Sequence, residues 1–172
     1  MTTATTASIA TPVAITPEAL LGTWQGHRRL TRKVIETFPD DKLFTYSLGG
    51  MRPFSELALE MIYMAGPGVE GAATGKWVGF DTLGHHSPES PKPATKAALL
   101  AYWDEITEII DYTWTQFPAG RFQEIDKFFN AYDCPVYAGI LYLIDNEIHH
   151  RAQGYVYLRS LGIEPPAFWD RY

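Results

Sequence analysis

The chain has 172 residues, 46% hydrophobic and 14% aromatic, enough apolar side chain to bury a core and most simply read as one folded unit. A formal charge of −6, with 14 basic residues scattered rather than banded, argues against a surface that tracks a phosphate backbone, so no nucleic-acid partner is expected. The single cysteine, Cys134, excludes an intrachain disulfide and a thiolate zinc cluster and fits a reducing compartment.

The opening stretch MTTATTASIATPVAIT has neither a basic n-region nor a long apolar h-region, and reads as a flexible leader over residues 1–15 ahead of one domain over 16–172. No later run approaches the roughly 18 consecutive apolar residues of a membrane span, so a cytoplasmic protein with no membrane partner is expected. Thr16, Pro17 and Glu18 form a helix start: a hydroxyl cap, a proline in the first turn and an acid at the positive end of the dipole. The helix is expected to run to about Phe38 on the stripe Leu20, Trp24, His27, Thr31, Val34 and Phe38.

PDDKLFTYSLGGMR interrupts the pattern, with Gly49 and Gly50 supplying a turn, and Pro53 opens a second helix whose apolar run is LALEMIYMA. Pro67, between two glycines, is expected to end or kink it. Residues 75–94 read as a long crossing loop. Leu99, Trp103, Ile106, Ile110, Thr113 and Phe117 mark a third helix over about 95–117, halted before Pro118, and a second long connection follows over 118–134. The fourth long helix begins near Pro135 and continues through Ser160, stopped by Gly162 with Pro165 and Pro166 beyond. Four long amphipathic helices with strands nearly absent predict an all-α four-helix bundle with long crossing connections.

Two positions stand out chemically. Glu60 is the one charged residue in LALEMIYMA; a carboxylate there is costly unless it is paired, protonated or bound to a cation, or sits at the stripe's edge and reaches water. On the last helix Gly139, Leu143, Asn146, His150, Tyr157 and Leu161 share one face, which makes Asn146 and His150 neighbours one turn apart, the spacing at which two side chains can share an ion. Glu147 and His150 form Glu-x-x-His, the pair used in di-iron bundles, but no second such pair exists. A metal site, an acid/base cluster and a hydrogen-bonded structural face all remain open for this group. His27 lacks a second ligand candidate on its stripe, and His85 with His86 lies in a polar loop without a neighbouring acid, so both read as structural or solvated. Arg151 is expected either to make an interhelical salt bridge or to bind an anionic group.

The stretch NEIHHRAQGYVYLRSLGIEPP resembles the end of the DinB-like (DinB/YfiT) bundle proteins, whose last helix carries His-x-x-x-His-Arg-Gly-Gln before a Leu-Arg-x-x-Gly-x-x-Pro close. YSLGGMRPFSELALEM is similar to that family's entry to its second helix, and TWQGHRRL to its first. The resemblance implies a divalent metal held by three histidines, whose positions here fall on Glu60, Asn146 and His150; the family's glycine after arginine is Ala152. Replacing two imidazoles by a carboxylate and an amide moves such a site from zinc or nickel toward manganese, magnesium or ferrous iron. The resemblance further implies a metal-dependent transferase or isomerase that uses a low-molecular-weight thiol on an electrophilic substrate, with Arg151 or Tyr157 orienting the substrate. It also implies a homodimer, for which Trp169 and Tyr172 offer exposed aromatics. The alternative is a metal-free, non-catalytic bundle serving as a stress-associated binding or structural protein.

Overall fold

A computed structural model describes residues 14–84, 86–87 and 90–171, so most of the leader, His85 and Tyr172 lie outside the described residues. Helix α1 spans Pro17–Thr37 and starts where the caps place it: the Thr16 hydroxyl accepts from the Ala19 N–H at 3.2 Å. Its whole expected stripe, from Leu20 to Phe38, is buried. A short helix α2, Asp40–Leu43, occupies the interruption that follows. Gly49 and Gly50 then adopt φ of +60° and +79°, a left-handed turn that returns the chain to Pro53 at the head of α3, Phe54–Thr74.

Helix α3 does not stop at Pro67. It continues to Thr74 and closes on a left-handed Gly75. Gly66 and Gly68 flank the proline, and a Cβ on either would meet Ile106 at 3.1 Å or Leu143 at 2.7 Å, so neighbouring helices pack directly against the weakened turn. That packing outweighs the missing backbone donor. Helix α4, Lys96–Trp114, is capped by Thr95, and α5 runs Val136–Ser160 before Gly162 at φ +75° ends the turn.

Helices α1 and α3 each pack against both α4 and α5, which closes a four-helix bundle around Trp24, Ile35, Ile62, Trp103, Ile110 and Leu158. The expected second connection contains an antiparallel hairpin, β1 Ile125–Phe128 and β2 Tyr132–Pro135, paired from Ile125↔Pro135 to Phe128↔Tyr132. Phe129 and Asn130 turn it with φ of 48° and 59°; at its base Trp77, Phe128 and Phe129 meet one another edge to face, and Phe80 lies tilted against Phe129. Among the described residues no helix is long and apolar enough to cross a membrane.

Candidate functional site

Helix α5 carries polar side chains into the bundle on two lines. Glu147 and Arg151, one turn apart, face α1; His150, between them in sequence, faces α3. Glu60 meets it there. The His150 Nε2 lies 3.0 Å from Glu60 Oε1, and Nδ1 lies 2.7 Å from the Gln153 side-chain oxygen. The other Glu60 oxygen accepts from the Arg52 guanidinium. Glu60 is therefore paired through both carboxylate oxygens, at the partly exposed edge of the bundle with its side chain 19% exposed.

Arg52 is aimed by its surroundings. Proline 53 restricts it to extended backbone, and the buried Tyr157 hydroxyl donates to its carbonyl at 2.8 Å. The Gln153 amide reaches toward the Met51 sulfur at 3.9 Å, so the Gly49–Gly50 turn folds Met51 and Arg52 over the Glu60–His150 pair.

The hydrogen bond from His150, opposed by burial and joined by Arg52, holds the Glu60 carboxyl down to about 2. Burial draws His150 down, but its bonds to Glu60 and Gln153 outweigh that and leave it above its ordinary value. Asn146 sits one turn before His150, half-buried, and its side chain makes no hydrogen bond to any described residue, Glu60 and His150 included. The structure thus brings together two of the three expected site residues and leaves the third adjacent on the helix.

A second polar cluster, unforeseen in the sequence, is sealed between α5, α1 and α4. Glu147 accepts from Thr31 at 2.6 Å and from the Trp24 indole at 3.3 Å, with Arg28 at 3.8 Å and Arg151 at 3.9 Å. Burial pushes the Glu147 carboxyl up, against the pull of Arg28, Thr31, Arg151 and Trp24. Arg28 donates to the Trp103 carbonyl at 2.8 Å and to Thr107 at 3.0 Å, and stacks over the Trp103 ring; burial brings it down to about 10, still charged at neutral pH. Arg151 is here and not at the Glu60 site. Its acid partner is on its own helix, and across the interface it reaches His27 at 3.0 Å and Thr31 at 3.2 Å. His27 is further approached by Arg171 at 3.2 Å; burial, then Arg151 and Arg171, lower it to about 4, so it is a neutral structural histidine. Neither Arg151 nor Tyr157, whose hydroxyl is spent on Arg52, faces a substrate position. Glu147 points away from the His150 line, which removes the Glu-x-x-His pairing.

Among the described residues no three His, Cys, Asp or Glu side chains converge as a metal cluster. Glu60 and His150 are the two strong donors that do converge.

A helical bundle with a carboxylate–imidazole pair between its second and last long helices is the class of protein that fold and site define. The DinB family model matches residues 1–171, and the chain belongs to the DinB family. Two solved structures are similar in fold. A DinB-like protein from Bacillus cereus ATCC 10987 superposes with a TM-score of 0.69 at 19% identity, covering 88% of this chain and 97% of that one. The DinB-like protein YjoA from Bacillus subtilis gives 0.68 at 16% identity, covering 87% and 96%. No curated protein matches the chain.

Proposed function

We propose that this DinB-family bundle is a divalent-metal-dependent enzyme, with Glu60 and His150 as its principal ligands and Asn146 as the third. The observation that carries the reading is the meeting of Glu60 Oε1 and His150 Nε2 at 3.0 Å. Two donors that share an ion at about 2.0–2.2 Å stand about 3 Å apart. Gln153 adds a second support: its side-chain oxygen accepts from Nδ1–H, so that an ion replacing the Nε2 proton shared with Glu60 would meet the Nε2 lone pair, the usual arrangement behind a ligating histidine. Asn146, on the same side of α5, has an amide oxygen with no partner among the described residues. This set suits manganese or ferrous iron better than zinc or nickel.

When bound, the ion would supply Lewis acidity that lowers the pKa of a small thiol and activates it toward an electrophilic substrate. The chain's own groups do the rest. Gln153 orients the imidazole, Arg52 holds the second Glu60 oxygen, and Tyr157 fixes the backbone of Arg52. Association as a homodimer belongs to the same reading, with Phe168 and Trp169 each 67% exposed in the C-terminal tail.

One observation favours the metal-free alternative, in which the site is a structural or binding cluster: the Arg52 guanidinium already neutralises Glu60. Elemental analysis of untagged protein, before and after incubation with Mn²⁺ and Zn²⁺, separates the two. Near-stoichiometric metal that is lost in His150→Ala, with the fold intact by circular dichroism, supports the enzyme. Metal-free protein after both incubations establishes the alternative.

A further inference from the structure

We infer that Arg52 is the recognition residue for a carboxylate on the small molecule that the Glu60–His150 site accepts, so that the ligand is an organic acid and not a neutral compound. The inference rests on that site being the ligand-binding one and adds the charge of what binds there.

A guanidinium presents five N–H donors in a planar fork suited to carboxylates. In Arg52 only Nη2 is engaged, by Glu60 Oε2. The Nε and Nη1 donors have no partner among the described residues, and the side chain is 45% exposed beside a His150 that is 9% exposed. The fork is therefore open to solvent on one edge and anchored on the other.

The anchoring distinguishes it from an ordinary surface arginine. The Tyr157 hydroxyl, on a fully buried ring, grips the Arg52 carbonyl, while the following proline and the Gly49–Gly50 turn set the direction of the backbone. The backbone is held by Tyr157 and the guanidinium by its one contact to Glu60, so part of the freedom that a free arginine gives up on binding is already lost and a second, charge-assisted contact is cheaper to form. The geometry also limits the ligand. One guanidinium edge touches Glu60, so a carboxylate on the other edge lies within a few ångströms of the atom that His150 faces. A molecule with its acid group and its reacting group a few bonds apart fits that span.

Succinate and its neutral isostere succinamide are the probes, titrated by NMR into the full chain in EDTA and again with excess Mn²⁺. Succinate is expected to bind about tenfold more tightly than succinamide, the worth of one charge-assisted contact. Arg52→Met should bring the two within about twofold of each other, and Arg52→Lys should recover part of the preference. Because Tyr157 holds the Arg52 backbone, both variants keep that anchor, and circular dichroism checks their fold. Equal affinity of the parent for both probes, failure of both to bind, or a preference that survives Arg52→Met would overturn the inference. The manganese content of the same samples reports separately on the metal-dependent reading, so either can fail alone.

Discussion

Glu147→Ala is the substitution on which the architecture of the bundle makes its sharpest demand. Glu147 is 2% exposed and, among the described residues, is the acid within 4 Å of Arg28 and Arg151, where it faces two guanidiniums, a hydroxyl and an indole N–H. Arg28 Nη1 has no hydrogen-bond partner among the described residues and lies 3.8 Å from this carboxylate. Removing the carboxylate takes away the nearest counter-charge of both Arg28 and Arg151 and leaves Arg28 only the more distant Asp104. Breaking a buried pair from one side costs about 3–5 kcal/mol. At roughly 2–4 °C per kcal/mol for a chain of this size, the melting temperature should fall by about 6–20 °C.

The assay is urea and thermal unfolding followed by circular dichroism on four proteins: parent, Glu147→Ala, Arg28→Met and the double variant. The double variant should recover part of the summed loss, because it removes a guanidinium along with its counter-charge, and the coupling should exceed about 1 kcal/mol. A loss below about 1 kcal/mol for Glu147→Ala, or additive single variants, would mean that the cluster is not an electrostatic unit and that packing alone sets the rotation of α5.

His27, lowered to about 4, gives the stability a pH dependence: the unfolded chain takes up a proton as pH falls through about 6.5 and the folded chain does not, so stability is full above 6.5 and is lost between 6.5 and about 4. His27→Gln should flatten that limb of an unfolding series taken from pH 7.5 to 4. Gly154→Ala should cost about 1–3 kcal/mol, because its Cβ would lie 2.4 Å from the Phe54 ring, which is itself stacked on Phe38 at 4.6 Å; unchanged thermal unfolding would refute that close approach. Asn146→His should tighten Zn²⁺ binding by about one to two powers of ten if Asn146 points at the ion, measured against a competing chelator, and unchanged affinity would remove it from the ligand set. Glu60→Gln should lower Mn²⁺ affinity with little change in metal-free melting temperature; unaltered metal affinity would take Glu60 out of the site.

The helices were legible because their signals are local. Thr16, Pro17 and Glu18, the left-handed Gly162, and the spacing of Leu20 through Phe38 each act within one or two turns, and the structure places each as its chemistry requires. Glu60 was legible for a different reason: a lone carboxylate in an apolar run must find a partner or leave, and His150 is that partner. What escaped notice depends on contacts across the chain. The Glu147 cluster joins residues more than 100 positions apart, and nothing near Glu147 marks it as buried. A signal did exist in α1. Trp24, Arg28, Thr31 and Ile35 follow helical spacing, so an arginine stands in a core stripe and calls for an acid elsewhere in the bundle. The hairpin was hidden in a connection whose strands are four residues each, too short for alternation to register. Arg52 is not legible in the sequence because it lies in a turn, where backbone direction follows from Tyr157 and Pro53 and not from periodicity.

The two polar clusters share one helix, and that shapes how the site is held. Glu147 and His150 are three residues apart, about 60° around the α5 axis, so a rotation that seats one against α1 seats the other against α3. A rotation by one residue would move both by about 100° and leave two guanidiniums, a carboxylate and an imidazole buried without their partners. The sealed cluster therefore resists rotation of α5 with the full cost of uncompensated charge. The same resistance fixes the direction in which His150 meets Glu60. Their difference in exposure divides their roles: Arg28, at 1%, can do nothing but hold the bundle, whereas the Arg52 side chain, at 45%, stands where a ligand can reach it. Weakening the first cluster should consequently loosen ligand geometry at the second without touching any residue that binds.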